Sequence, residues 1–301
     1  MTSWKLSAFA PKPVVQAALL AHDELEEWDF DLVISGREIS EDRPLEWVLE
    51  GWYPDKPGPN QTKAIADLFG GKAPKIEIEK LPDEDWLTLS QQGTPPIEAG
   101  PFYVHTPDYS PKVGAINFAI PASQAFGTGQ HETTAGCLEM LGAIRKTGAN
   151  FRRIADIGTG TGLLGFAAMA LWPKAECTAT DIDPVCAWVV ADNALLNNVQ
   201  LGPHRGAMTM VIADGMDDPL ITARGPYDLL IANILAGPLV ELAPDFAKSV
   251  SAKGHLVLAG LLAGDQEQAV RRAYRRAGFR PVARLQRGDW AILWLRRRYA
   301  R

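Results

Sequence analysis

At 301 residues and 47% hydrophobic composition the chain is long enough for two domains with real cores. It has no apolar run near the roughly 20 residues of a membrane span, no charged-then-apolar leader, and three cysteines (Cys137, Cys177, Cys186) without metal-ligand spacing. A cytoplasmic protein with reduced, mostly buried thiols is expected. The net charge of −6 is uneven: residues 1–100 hold nine Lys and Arg against nineteen Asp and Glu, leaving +4 for the remainder. An acidic first third argues against nucleic acid as the direct substrate and fits a basic partner, although it also serves solubility.

Trp4–Phe9 reads as a strand and Pro13–Ala21 as a helix opened by Pro11 and Pro13. Trp28–Ile34 alternates as a strand with one buried face, and Leu45–Tyr53 is a third strand that Glu46 and Glu50 leave ambiguous with helix. Asn60–Phe69 is helical up to Gly70-Gly71, and Lys75–Lys80 is a last strand. The order β-α-β-β-α-β predicts a ferredoxin-like α+β domain over residues 1–81.

A linker over 82–111 follows, with one short helix at Pro82–Leu89 broken by Gly93-Thr94-Pro95-Pro96. Phe102-Tyr103-Val104 and Ala115-Ile116-Asn117-Phe118 suggest a hairpin leading into a second domain, residues 112–301. Next come Ala125-Phe126-Gly127-Thr128-Gly129-Gln130-His131-Glu132-Thr133-Thr134 and a helix from about Ala135 to Lys146. His131-Glu132 starts a zinc motif, H-E-x-x-H, but Ala135 stands where its second histidine belongs, so no metal is expected. The bland reading is a helix start capped by Thr133 or Thr134. The functional one is a lid whose hydroxyls and free N–H groups meet a ligand carboxylate.

Ile154-Ala155-Asp156-Ile157 then reads as a buried parallel strand, followed by glycines at 158, 160 and 162, a helix from Leu163, and a second strand ending at Asp181. Asp181 lies 23 positions after the first glycine, where an acid suits ribose hydroxyls. A glycine turn alone fits NAD, FAD and S-adenosylmethionine (SAM) alike, and it fits a tight turn with no ligand. Asp156 ahead of Gly158 favours SAM: the loop resembles the D/E-x-G-x-G-[ST]-G motif of Rossmann-like methyltransferases. An acid there suits the cationic amine of a methionine moiety and would oppose a pyrophosphate.

Beyond it, Pro184–Asn197 is a helix, and Met208–Ala213 is a strand leading to Asp214, which reads either as a solvated loop acid or, at a strand's carboxyl end, as an acceptor for an adenine amino group. Tyr227–Ala232 is the fourth strand, with Asn233 at its tip. A helix, a strand at Gly254–Ala259, a helix at Asp265–Ala277, and a hairpin turning at Arg287-Gly288-Asp289 complete an α/β sheet. The final strand Trp290–Leu295 is apolar throughout and so buried on both faces. Arg296, Arg297 and Arg298 read as a solvated tail, with a ribosomal-RNA contact as the functional alternative.

Three blocks together carry a family resemblance: Ala125 to Thr134, Asp156 to Gly162, and Ala232-Asn233-Ile234-Leu235-Ala236-Gly237-Pro238-Leu239. Across roughly 112–295 the chain resembles the ribosomal protein L11 methyltransferases of the PrmA type. The resemblance implies a Rossmann-like class I methyltransferase domain with a seven-stranded mixed sheet, and a ferredoxin-like substrate-binding domain on a mobile linker. It also implies SAM-dependent methylation of lysine ε-amines, and of the N-terminal α-amine, of the free large-subunit ribosomal protein L11 by a monomer, with no direct nucleic acid and no membrane. Cofactor contacts are expected from Phe126, Thr128, Thr133, Thr134, Asp156, Gly158, Gly160, Gly162, Asp181, Ile182, Asp214 and Asn233. Asn233 and the backbone carbonyl of Leu235 are expected to orient the amine. The rival readings are the same chemistry on another basic protein or a small amine, a SAM-binding module without catalysis, and an RNA methyltransferase.

Overall fold

The structure, a computed structural model, describes residues 4–23, 25, 28, 32–39, 43, 45–80, 95–121 and 130–298. The connector helix expected at 82–89, Phe126 and Thr128 lie outside them. Contacts divide the chain into two units, Met1–Leu89 and Ser90–Arg301.

The first unit follows the expected order: β1 (Trp4–Pro11), α1 (Lys12–Asp23), β2 (Val33–Glu38), β3 (Glu46–Tyr53), α2 (Pro59–Asp67) and β4 (Ile76–Lys80). Its sheet runs β2-β3-β1-β4 with every pairing antiparallel, the ferredoxin-like arrangement. Alternation along β1 puts Leu6 and Ala8 in a core with Val15, Ala18, Leu49 and Ile65. β2 starts later than the expected Trp28–Ile34 and runs through Gly36, where a Cβ would stand 2.7 Å from Leu19 Cδ1 and 2.9 Å from Val15 Cγ1 of α1. Trp28 instead donates its Nε1 proton to Leu32 O at 2.6 Å. Glu50, the source of the helix ambiguity, sits buried on the other face of the sheet. Its carboxylate accepts from Arg37 Nε at 2.9 Å and Nη2 at 3.0 Å, which offsets the cost of removing the charge from water.

In the second unit, β5 (Ile97–Ala99), β6 (Phe102–His105) and β7 (Ile116–Ala119) form a small sheet. Residues 97–105, expected inside a linker, therefore belong to this unit: Ile97, Ala99, Phe102 and Val104 share a core cluster with Leu138 and Leu141. The expected hairpin is also corrected. β6 pairs with β7 in parallel, and the hairpin is β5–β6, turned on Gly100 at φ +58°. The 106–115 connection returns the chain to the end where β6 began, which a tight turn cannot do.

The main sheet joins β8 (Arg153–Ile157), β9 (Glu176–Asp181), β10 (Met208–Ile212), β11 (Tyr227–Asn233), β12 (Val250–Leu262), β13 (Phe279–Arg287) and β14 (Trp290–Arg297) in the order β10-β9-β8-β11-β12-β14-β13. β8 to β12 are parallel, and β14 is antiparallel to both its neighbours. Helices cover both faces: α3 (Gln130–Lys146), α4 (Leu163–Leu171), α5 (Val185–Leu196), α6 (Pro219–Arg224), α7 (Ala236–Glu241), α8 (Ala243–Ser249) and α9 (Asp265–Arg276). The central strands read as continuous apolar runs because alternate residues enter two cores. Leu229, Ile231 and Val257 pack with α3 and α4 residues; Leu230, Ala232 and Leu256 pack with Leu239, Phe246 and Tyr274. α6 carries no pattern in the sequence; it is a short turn capped by Asp218, which accepts from Leu220 N–H at 2.7 Å.

Of the three C-terminal arginines expected as a solvated tail, only Arg298 lies past the last strand and is exposed. Arg296 Nε donates to Lys253 O at 3.1 Å and Arg297 Nη1 to Val250 O at 2.8 Å, both from within β14. Cys137 and Cys177 are buried free thiols as expected, and Cys186 is half-buried. Ile231→Ala, in the fully buried centre of the sheet, should lower the unfolding free energy by about 2–5 kcal/mol in urea titration. A loss below about 1 kcal/mol would show that the sheet centre repacks freely.

Candidate active site

The carboxyl ends of β8, β9, β10 and β11 border a cavity of about 570 Å³, the position where open parallel sheets bind ligands. Thr133, Thr134, Gly158, Gly160, Asp181, Ile182, Asp214, Asn233 and Leu235 all line it, so one space gathers nine expected residues from five separate stretches of chain.

The loop after β8 is tied from three sides. Asp156 Oδ2 accepts from Thr159 Oγ1 at 2.7 Å and from Gly165 N–H at 2.8 Å. Asp181 Oδ2 accepts from Gly160 N–H at 2.8 Å, while Thr159 N–H donates to Thr180 O at 2.9 Å. Asn193 of α5 donates Nδ2–H to Thr161 O at 3.0 Å. Gly158, Gly160 and Gly162 all have positive φ, at +68°, +54° and +85°. A Cβ on Gly158 would stand 2.2 Å from Ile234 Cγ2 of the chain leaving β11, so this glycine also permits the loop to meet its neighbour.

Two expected contacts change role. Asp156 is 1% exposed and does not line the cavity; its carboxylate faces inward, under the loop, as a brace rather than a partner for a ligand amine. Burial raises its pKa to about 6, against the hydrogen bonds from Thr159 and Gly165, with Asp181 adding a smaller upward push. Gly162 also lies outside the lining and turns the chain into α4, packed against the ring of Phe166.

Asp181 faces the cavity at the tip of β9, and its Oδ1 accepts Asp183 N–H at 3.1 Å. Each oxygen thus takes one backbone donor, and a carboxylate oxygen accepts two. Beside it, the Cys186 thiol is pushed up to about 12, chiefly by desolvation and then by Asp181, so it stays protonated. Ile182 is 66% exposed and offers an apolar wall; Asp214 is exposed at the loop after β10.

Asn233 ends β11 and donates Nδ2–H to Thr134 Oγ1 at 3.4 Å, which leaves Oδ1 as its free acceptor toward the cavity. Thr133 and Thr134 do not cap the helix, which begins at Gln130; they are its fourth and fifth residues. The Leu235 carbonyl accepts Leu239 N–H at 3.2 Å as the first bond of α7, so it points along that helix, and the exposed Leu235 side chain forms the cavity rim.

Sequence reasoning missed Trp290 and Gly260, which also line the cavity. Gly260 has φ +85° at a register shift in β12, and a Cβ there would stand 2.2 Å from Ile234 O. An isolated glycine inside an apolar strand is the signal that marks such a close approach.

The family model described as ribosomal protein L11 methyltransferase (PrmA) matches residues 39–298. A ribosomal protein L11 methyltransferase of Mesorhizobium japonicum is 37% identical over 300 residues, 98% of this chain and 100% of that one. One from Rhizobium meliloti is 41% identical over 224 residues, 74% of each chain. The solved ribosomal protein L11 methylase of Lactobacillus delbrueckii subsp. bulgaricus is similar at a TM-score of 0.54 and 26% identity, covering 68% of this chain and 98% of that one.

Gly158→Ala should weaken SAM binding at least roughly tenfold in calorimetry, since both φ and the Ile234 contact oppose the new methyl. Unchanged affinity would mean that the loop does not shape the site. Asp156 also makes a signed pH prediction. A carboxyl whose folded pKa is raised binds its proton more tightly in the folded state, so its favourable contribution is complete below pH 4 and is lost as pH rises through 6. In urea unfolding, the stability of wild type relative to Asp156→Asn should fall by about 3 kcal/mol across that window. A flat or rising difference would contradict the burial of this charge.

Proposed function

Because the chain belongs to the ribosomal protein L11 methyltransferase (PrmA) family, we propose that it methylates lysine ε-amines, and the N-terminal α-amine, of ribosomal protein L11 in the cytoplasm, acting as a monomer. The observation that carries this reading is Asn233: with Nδ2 engaged by Thr134, it presents a neutral carbonyl oxygen to the cavity. An amide oxygen there suits an amine, which needs an acceptor to orient its N–H bonds and no strong base beside it.

The cavity residues fit SAM. Asp181 would take the ribose hydroxyls, Ile182 would lie against the adenine with Asp214 accepting from its amino group, and the hydroxyls of Thr133 and Thr134 would meet the methionine carboxylate. The positive-φ glycine loop brings backbone close to the ligand without a Cβ between them. When bound, SAM supplies an electrophilic methyl group on a sulfonium. The protein's contribution is position: in-line approach of an oriented amine provides most of the acceleration.

Asp181 and Asp214 are the only carboxylates lining the cavity among the described residues, and both are assigned to the nucleoside. Among the described residues no further side chain lining the cavity is then placed to serve as general base. The ammonium gives its proton to water, helped by desolvation and by the neighbouring sulfonium charge, both of which lower its pKa. An α-amine, with an ordinary pKa near 8, is the easier acceptor. The first hundred residues, with nineteen acids against nine bases, support a docking role toward a basic ribosomal protein through complementary charge.

Intact mass of ribosomal protein L11 after incubation with the enzyme and SAM tests this reading. Increments in steps of one methyl group are expected with wild type, on a rate that rises with pH above neutrality. Asn233→Ala should keep SAM affinity and lose turnover on the order of 100-fold. No increment with SAM still bound would move the substrate to another basic protein or a small amine. Lost SAM affinity in the variant would remove Asn233 from the acceptor side.

A further inference from the structure

The opposite end of the main sheet carries a second concave surface. Two adjoining cavities of about 640 and 410 Å³ share Ala149, His255 and Arg296. Arg280 enters the first, Arg152 and Lys253 the second, and Asp228 is the one carboxylate among all the lining residues. That carboxylate is already occupied by Arg152 N–H at 2.9 Å, Arg153 N–H at 3.2 Å and Ser251 Oγ at 3.3 Å, so it pairs with no guanidinium here.

The charges are in register. His255 and Arg280 are the cross-strand neighbours of Arg296 on either side, which sets three basic residues in one row across β12, β14 and β13. Only Arg280 and Arg296 of the three are charged, and like charges directly opposite each other destabilise a sheet. Among the described residues the Arg280 side chain has no hydrogen-bond or ion-pair partner, and Arg296 has only the Lys253 carbonyl. Beneath them, Trp294 Nε1 donates to His255 Nδ1 at 3.1 Å, which leaves the imidazole proton on Nε2, without a partner among the described residues. Burial and Arg296 hold this ring neutral, its pKa lowered to about 4, so it is an uncharged donor at the floor of a cationic groove.

We propose that this groove binds the phosphates of a nucleic-acid backbone. Guanidiniums present planar forks that match phosphate oxygens, and two lobes joined at Arg296 suit consecutive phosphates of one strand. Single-stranded RNA serves as the probe, because the backbone phosphates are the chemistry the groove would recognise. The groove lies at the amino ends of β8, β11 and β12, away from Asp181 and Asn233, so the strand is a tether there and not a methylation substrate.

Fluorescence anisotropy of a labelled single-stranded RNA with the full chain, across a salt series, tests the proposal. Wild-type affinity should fall steeply with salt, and the double variant Arg280→Glu/Arg296→Glu should bind at least roughly tenfold more weakly with a salt slope smaller by about two. Arg280→Gln, which disturbs no existing partner, should bind severalfold more weakly. Lys63→Glu in the first unit should bind RNA as wild type does. SAM affinity should be unchanged in the Arg280/Arg296 variants, which shows that the second unit is folded, and it does not depend on whether L11 is methylated. RNA affinity indifferent to these substitutions, or absent at low salt, would overturn the proposal. Full displacement of the RNA by millimolar inorganic phosphate at fixed ionic strength would mark a small-anion pocket and overturn the backbone reading.

Discussion

The carboxylate of Asp156 is the constraint on which the active site depends. It is buried under a loop that has three positive-φ glycines and so little conformational preference of its own. By accepting from Thr159 and Gly165 it ties the end of β8 to the start of α4, and Asp181 and Asn193 then hold the loop's other side. A buried acid with two donors on one oxygen is a costly brace, and its raised pKa is the measure of that cost. The return is a loop whose shape is set before any ligand arrives, as positional catalysis of methyl transfer requires.

Charge is arranged with similar economy. The acids gather in the first hundred residues, and the remainder is net positive. Within the second unit the strand ends that hold Asp181, Asp214 and Asn233 contrast with the opposite ends, where Arg152, Arg280 and Arg296 collect. The two signs match the two proposals made above, a basic protein at the acidic first unit and backbone phosphates at the basic groove.

The strand–glycine–helix–strand core was legible because each piece has its own physical signature: a run buried on two faces, residues tolerant of positive φ, and an acid at a strand tip. Asn233 was legible for the same reason, as a polar residue closing an apolar strand. The role of Asp156 was not, because position in a motif does not say which way a carboxylate turns. Leu235 misled likewise, since its carbonyl starts α7 rather than facing the cavity. Strands as short as β5 and β6 carry too little alternation to distinguish them from a connector, and whether β6 meets β7 in parallel depends on the path of 106–115, not on the strands. The basic row across β12, β14 and β13 follows from register alone, and the arginines that form it lie apart in sequence.

The sharpest test is the affinity of Asp156→Ala for two ligands, SAM and 5′-methylthioadenosine, which lacks the amino-acid portion. If Asp156 braces the loop, both ligands should lose affinity by the same factor, at least roughly tenfold, because the nucleoside pocket itself loosens. A loss confined to SAM, with methylthioadenosine binding unchanged, would show that Asp156 reaches the methionine amine and would contradict the account.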